Sequence, residues 1–401
     1  MINRKLTHIN SYLTVIKRNT LMKILTILIL FTISSLTYGQ EIDTLSFYSV
    51  AFKEERTVYI HKPEFYKYKS DSVKFPVIYL LDGQHKWFVN PTISDIEYLR
   101  FTKEIPSSII VVIPLRDRVK ECAIADLKTE LPLDRFITQE LDKKLKKYNP
   151  SDYKILIGHS FSASFSLYSF YNHRDYYTAV IANSPYDKME MLVEAFEQSR
   201  ELDKSRISIS IGSINKDVYH RKKYDVLKSQ YPSFFKSINT FEADYSAHNA
   251  VPITAVPTLL TKIFEGYRSR YNKIAEVDME YNLIHKPSSM SEELNKIKSA
   301  SKIGSYYYPP EISDINGIAS RYWNNNLEDY AAKVYKLGVK YYPAYYEFYL
   351  SLYELTLNNN KATSKEYLEK AELLLTTIEN NWEGKSEIIE EIRTEKIKNG
   401  W

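Results

Sequence analysis

Between Lys154 and Tyr168 the chain changes from one periodicity to another within five residues. Ile155-Leu-Ile157 is an apolar run of strand length. Gly158-His-Ser160-Phe-Ser162 follows as a tight turn, and Phe161, Phe165, Leu167, Tyr168 and Phe170 then mark a helix that packs back on a sheet. Strand, sharp turn and helix, with a serine at the apex, is the setting of a nucleophile elbow. Such a turn lifts the Ser160 hydroxyl clear of the sheet and aims backbone N–H groups at whatever it attacks. The motif reads G-x-S-x-S, with Ser162 where a glycine normally lets helix and strand approach closely. The plainer reading of Ser160 is a turn serine or a helix N-cap.

Around this stretch, short β runs alternate with helical ones. Leu45–Val50 and Arg56–Ile60 read as a hairpin, Phe75–Leu81 as a buried strand ending at Asp82-Gly83-Gln84, and Ser108–Ile113 as another, closed by Pro114. A helix is expected over 136–145 before the elbow strand. Thr178–Ala182, Arg206–Ile211 and Ser237–Phe241 complete eight strands, separated by helices over 188–199 and 220–230 and followed by one over 252–266. Helical crossovers from the third strand onward predict a mostly parallel sheet covered on both faces, with sites at the carboxyl ends of its strands. The loops after Leu81, Ile157, Ile211 and Phe241 are therefore the ones that carry chemistry.

The 401 residues are 44% hydrophobic, enough for a large core and two or three domains. Arg4, Lys5, Lys17, Arg18 and Lys23 account for the formal net charge of +4, since the remaining chain carries 49 basic against 50 acidic side chains. That near-neutral balance gives no reason to expect nucleic-acid binding. Basic residues before the apolar run Ile24–Ile33, then small residues up to Gly39, read as a cleavable signal peptide over 1–39, with Met22 as an alternative start. A periplasmic or secreted protein, with no stable membrane insertion after cleavage, is the expectation. Cys122 has no second cysteine to pair with and reads as a packing residue.

The domain expected over 40–271 gives way to a connector over 272–312 and then to a helical domain over 313–401. Trp323-Asn-Asn-Asn326 recurs as Leu357-Asn-Asn-Asn360, an offset of 34 residues, the period of tetratricopeptide helix pairs. Two copies are fewer than such arrays need to stand alone, so this region is expected to dock on the preceding domain or on a helix over 291–303. A plain helical bundle is the alternative.

Serine chemistry needs a nucleophile, a base, a group to orient the base and two N–H donors for the oxyanion. Ser160 follows the fifth strand. The base belongs after the last strand, where His248 stands. His159 is expected to point elsewhere, and His61, His85, His173 and His220 have no comparable placement. Asp217, after the seventh strand, is the expected partner of His248, with Asp244 and Glu242 as rivals and a bare Ser–His dyad as a further option. The oxyanion donors expected are the main-chain N–H groups of Phe161 and Gln84. Arg116 and Arg118 are candidates for an acidic substrate group, or an ordinary solvated charge cluster. Trp87, Phe88 and Tyr98 are candidates for a pocket lining or for plain core. No metal-ligand spacing is visible, and no cofactor is implied.

Tyr79-Leu-Leu-Asp-Gly83, Ile110-Val-Val-Ile-Pro114 with Arg118, Ile157-Gly-His-Ser160, Asn183-Ser-Pro185 and His248-x-x-Val-Pro252 occur in this order. In that combination, over about residues 45–266, the chain resembles the family of esterase D, enterochelin-type esterases, feruloyl esterases and mycolyl transferases. The resemblance implies an α/β-hydrolase fold, carboxylic-ester chemistry, Ser160 and His248 as the reactive pair, Asp217 near the family's acid position, and Gln84 and Phe161 as oxyanion donors. It also implies that the helical repeats are an appendage, as on some exported bacterial members. Ser162 and Ala163 stand where glycines are usual.

The expectation is an exported serine esterase acting through an acyl-enzyme on a small-molecule or glycan ester, such as a siderophore or acylated carbohydrate. An inactive scaffold that binds a protein partner through its helical repeats is one alternative. An acyltransferase is the other.

Overall fold

The computed structural model describes residues 42–214, 217–379, 382 and 384–401. The signal segment expected over 1–39 lies outside them. Eight strands form one sheet: β1 (Ile42–Ser49), β2 (Glu54–His61), β3 (Phe75–Leu80), β4 (Ile109–Val112), β5 (Pro150–His159), β6 (Ala179–Asn183), β7 (Ile207–Ile214) and β8 (Asn239–Ala247). Their spatial order is β1-β2-β4-β3-β5-β6-β7-β8. β1 and β2 form an antiparallel hairpin, β2 meets β4 antiparallel, and every later pair is parallel. This is an α/β-hydrolase fold.

Side-chain alternation shows why the strands read as continuous apolar runs. In β3, Val77 and Tyr79 face one core while Ile78 and Leu80 face the other. Leu156 and Val180 join the first, and Ile155, Ile157 and Ile181 the second. A parallel sheet covered on both sides needs apolar residues at both parities. The helices Phe161–Asn172 and Met189–Gln198 cover one face, and Lys86–Phe101 and Val251–Ile263 the other. The chain runs from β3 outward to β4, then crosses back past β3 to β5. That reversal falls at the carboxyl ends of β3 and β5, where open sheets of this kind place their sites.

The segment expected as a helix over 136–145 begins earlier, at Pro132, and passes through a π-helical stretch, Phe136–Leu141. The helix Lys86–Phe101 had no counterpart in the sequence reading; it buries Phe88, Val89, Ile96 and Leu99.

Residues 42–401 form one compact unit. Within 272–312 the chain forms the helix Met290–Ala300, with a capping box between Ser289 and Glu292, and a short hairpin, Lys302–Ile303 with Tyr306–Tyr307. Five helices follow: Ile312–Asn324, Glu328–Tyr341, Tyr346–Thr356, Lys361–Thr377 and Lys385–Lys398. The first three share a core with the sheet, through Ile315, Tyr322, Val334 and Phe348, and Ile297 of the helix Met290–Ala300 joins it. Polar contacts fasten the junction. Ser70 N donates to the Tyr341 carbonyl (2.7 Å), and Glu311 accepts from Ser107 N (2.8 Å) and the Tyr267 hydroxyl (3.0 Å). Among the described residues no helix is long and apolar enough to cross a membrane.

Candidate active site

Ser160 sits between β5 and the helix Phe161–Asn172 with φ +60° and ψ −116°. A non-glycine residue at positive φ costs on the order of 1–3 kcal/mol and persists where surroundings over-determine it. Here they do. Ser160 N donates to the Asn183 carbonyl of β6 (2.8 Å), and the Ser160 carbonyl accepts from Ala163 N and Ser164 N (both 3.1 Å). Asn183 itself is pinned: its Nδ2 donates to the Gly158 carbonyl (3.0 Å), and its Oδ1 accepts from Ser210 Oγ (2.8 Å). The close approach of strand and helix falls on Gly158. A Cβ there would lie 2.3 Å from the Ser162 carbonyl oxygen.

Ser162, the departure from the glycine pattern, has a structural task. Its hydroxyl donates to Asp82 Oδ2 (2.6 Å), and its oxygen accepts from His159 N (2.8 Å). Asp82, at φ +60° just after β3, is fully buried. Arg118 donates to both of its carboxylate oxygens, through Nε (2.6 Å) and an η nitrogen (3.2 Å), and also to the His159 carbonyl. Gln84 Nε2 adds a longer contact to Asp82 (3.3 Å), while Gln84 Oε1 accepts from Leu115 N (2.8 Å). One buried carboxylate therefore joins the turn after β3, the strand end at β4 and the elbow after β5. Phe161 is the first residue of its helix, where N–H groups have no intrahelical acceptor.

On the other side, His248 follows β8 directly, and its Nδ1 is hydrogen-bonded to Asp217 Oδ1. Asp217 opens the helix Asp217–Gln230 and is fully buried. Its second oxygen accepts from Gly212 N (2.7 Å) and Ser184 Oγ (2.8 Å). Gly212 is needed because a Cβ there would meet that oxygen at 2.5 Å. Burial pushes the Asp217 carboxyl up, but the bonds from His248, Ser184 and Gly212 outweigh it and hold it below the usual carboxylate range. A carboxylate on Nδ1 fixes the tautomer that leaves Nε2 as the basic nitrogen. The rival carboxylates are engaged elsewhere: Glu242 and Asp244 both bind Arg221, and Glu242 also binds Lys228.

Two histidines with no expected role flank His248. The ring of His159 lies 4.4 Å from that of His248, and its Nε2 donates to the His248 carbonyl (2.9 Å). Burial, then the charges of His248 and Arg118, push His159 down to about 3, so it is neutral at ordinary pH. The His220 ring lies 4.6 Å from His248 and 4.6 Å from Tyr186, with Nδ1 donating to the Ser184 carbonyl (3.0 Å). Asp217-x-x-His220 at a helix start was the one sequence signal for this second contact. His159 had none beyond adjacency to Ser160.

The two arginines that were candidates for an acidic substrate group have other partners. Arg116 reaches back to the β1–β2 hairpin, to Glu54 (2.7 Å) and the Glu55 carbonyl (2.6 Å). Arg118 serves Asp82 beneath the elbow. Trp87 is part-exposed, with its edge against the His159 ring at 5.4 Å, so it borders the site. Phe88 is core, and Tyr98 is an exposed side chain. Cys122 is buried, which pushes its thiol up, away from nucleophilic use.

A family model described as "Putative esterase" matches residues 49–238. An uncharacterized protein of Bacillus subtilis (strain 168), YjcH, is 30% identical over 184 residues, which cover 43% of this chain and 73% of that protein. The fold is similar to that of an IroE-like serine hydrolase from Shewanella oneidensis, with a TM-score of 0.53, 17% identity and coverage of 74% of this chain and 98% of that one. It is also similar to an uncharacterised protein from Capnocytophaga ochracea DSM 7271, with a TM-score of 0.51, 15% identity and coverage of 88% and 100%. The chain belongs to the putative-esterase family of α/β-hydrolases and is a carboxylic-ester hydrolase.

Proposed function

We propose that this esterase works through Ser160, His248 and Asp217 and passes through an acyl-enzyme. The observation that carries the reading is the hydrogen bond from His248 Nδ1 to a buried Asp217, with the His248 ring packed at 4.4 Å on His159, the residue before a serine held at positive φ at the tip of β5. In the first step His248 Nε2 takes the Ser160 proton as Oγ adds to the ester carbonyl. The oxyanion accepts hydrogen bonds from the main-chain N–H groups of Gln84 and Phe161, each worth about 3–4 kcal/mol to the transition state. Asp217 offsets the charge of the imidazolium. The proton then goes to the leaving alcohol, and the C–O bond of the ester breaks. Water enters by the same relay, restores Ser160 and releases the acid.

We extend the reading to substrate and place. The part-exposed rings of Trp87, Phe161 and Tyr186 stand around the Ser160–His248 region and favour a small ester with a flat or apolar acyl group. Siderophore esters and acylated carbohydrates fit that description. The basic and apolar pattern of residues 1–39 supports export to the periplasm or beyond. The helical region reads as tetratricopeptide-like: the helices Ile312–Asn324 and Tyr346–Thr356 start 34 residues apart, the offset of the sequence repeat, and would present a surface to a protein partner.

The test is hydrolysis of short-chain nitrophenyl esters by the purified protein, with fluorophosphonate labelling alongside. Ser160→Ala is expected to lose both, with kcat down on the order of a million-fold. Retained turnover in that variant sinks the assignment.

A further inference from the structure

His220 contributes nothing to the proposed relay, yet it brings a second imidazole against His248. Asp217 and His220 lie three residues apart on the first turn of the helix Asp217–Gln230, a spacing that sets both on one helix face. His248 enters from the end of β8. One donor atom from each of the three lies within 4.8 Å of the other two. Because His220 Nδ1–H donates to the Ser184 carbonyl, its Nε2 carries the available lone pair. Two imidazole nitrogens and one carboxylate form a donor set suited to zinc and its neighbours rather than to calcium or magnesium, and it leaves a fourth position open.

We propose that Asp217, His220 and His248 bind a zinc-class divalent transition-metal ion, and that this binding switches the esterase off. Zinc holds its nitrogen ligands at about 2.0–2.1 Å, so the three side chains draw together around the ion rather than waiting preformed. The reason for inhibition is direct. A metal on the His248 imidazole uses the lone pair that would take the Ser160 proton, or pulls the ring from Asp217, and either ends base catalysis. The inhibition rests on the serine-esterase reading, but the binding does not. No bond to substrate is made or broken, and removing the ion restores the enzyme.

The two parts separate in experiment. Cobalt(II) serves as the spectroscopic probe on the purified, chelator-treated full chain, read by its visible ligand-field absorption and displaced by zinc. One equivalent is expected to bind. His220→Phe, which keeps a ring against His248 and Tyr186 but has no nitrogen, is expected to weaken binding at least about tenfold, since even the outer partners of metal ligands are worth that much. His220→Gln, which keeps a donor for the Ser184 carbonyl, covers the case in which the phenylalanine variant does not fold. With nitrophenyl esters, zinc is expected to inhibit the wild type reversibly. Each variant, compared with its own metal-free rate, should need at least about ten times more zinc. His220-dependent cobalt binding in a protein with no esterase activity keeps the metal site and discards the serine reading. Equal binding or equal zinc sensitivity in wild type and both variants overturns the site.

Discussion

Two aspartates mark the ends of two strands in this molecule, and they do opposite things. Asp82, after β3, and Asp217, after β7, are both almost wholly buried. Each uses both carboxylate oxygens. Asp82 faces the Arg118 guanidinium, whose charge does not change at any working pH. It is an anchor that joins three loops. Asp217 is surrounded by neutral donors from Gly212 and Ser184 and by one imidazole, a ring that can both take and give a proton. A buried carboxylate beside a permanent cation holds a shape. The same group beside a titratable ring is ready to take part in proton transfer. The difference lies in the partner, not in the aspartate or its position on the sheet.

That contrast can be broken by swapping what each aspartate loses. Asp217→Asn should lower kcat on nitrophenyl esters about 10⁴-fold, because the amide favours the wrong imidazole tautomer, while the protein stays folded by circular dichroism. A loss below about tenfold would mean that His248 works as a bare dyad. Asp82→Ala should show the reverse balance. It strands a part-buried Arg118 and the Ser162 hydroxyl, for a loss on the order of 3 kcal/mol in urea unfolding. If Asp82→Ala unfolds like wild type and loses only turnover, the anchor role is wrong.

A finer cut uses acid. His159 is neutral in the folded state, well below the ordinary histidine value of 6.5. A depressed histidine contributes stability that is fully present above pH 6.5 and lost as pH falls toward about 3. The unfolded chain takes up the proton first, so the slope is up to about 1.4 kcal/mol per pH unit. Asp217 adds to this loss only at the acid end, where its lowered carboxyl finally protonates. His159→Gln should flatten the stability curve between pH 6 and 4 by about that slope; an unchanged curve would place the acid sensitivity elsewhere. The smallest effect belongs to Arg116→Ala. An exposed pair with Glu54 contributes within about 0.5–1 kcal/mol, and KM for neutral esters should not move. A several-fold rise in KM would return Arg116 to the substrate.

Much of the sheet could be read in advance because both of its faces are covered. Tyr79-Leu80-Leu81 and Ile155-Leu156-Ile157 are apolar at every position, and no other element of that length needs to be. The helix Lys86–Phe101 escaped because Pro91, Asn90 and Asp95 interrupt its pattern. Burial of Phe88, Ile96 and Leu99 on the sheet overrides that local signal. Ser162 looked like a compromised glycine. Its use appears only when Asp82, 80 residues away, arrives at its hydroxyl. The contacts of His159 and His220 with His248 are hidden in the same way, with only the three-residue spacing of Asp217 and His220 to hint at the second.

By itself the order of residues determined the strands, the serine at a strand-to-helix turn and the histidine after the last strand, since each is written in a local pattern of apolar and turn-forming side chains. Tertiary structure decided between Asp217 and its rivals as the carboxylate bonded to His248, what Arg118 holds and which rings crowd the imidazole. Strand order and crossover geometry bring residues 31 to 89 positions apart within hydrogen-bonding reach. Local periodicity carries no information about contacts made at that separation.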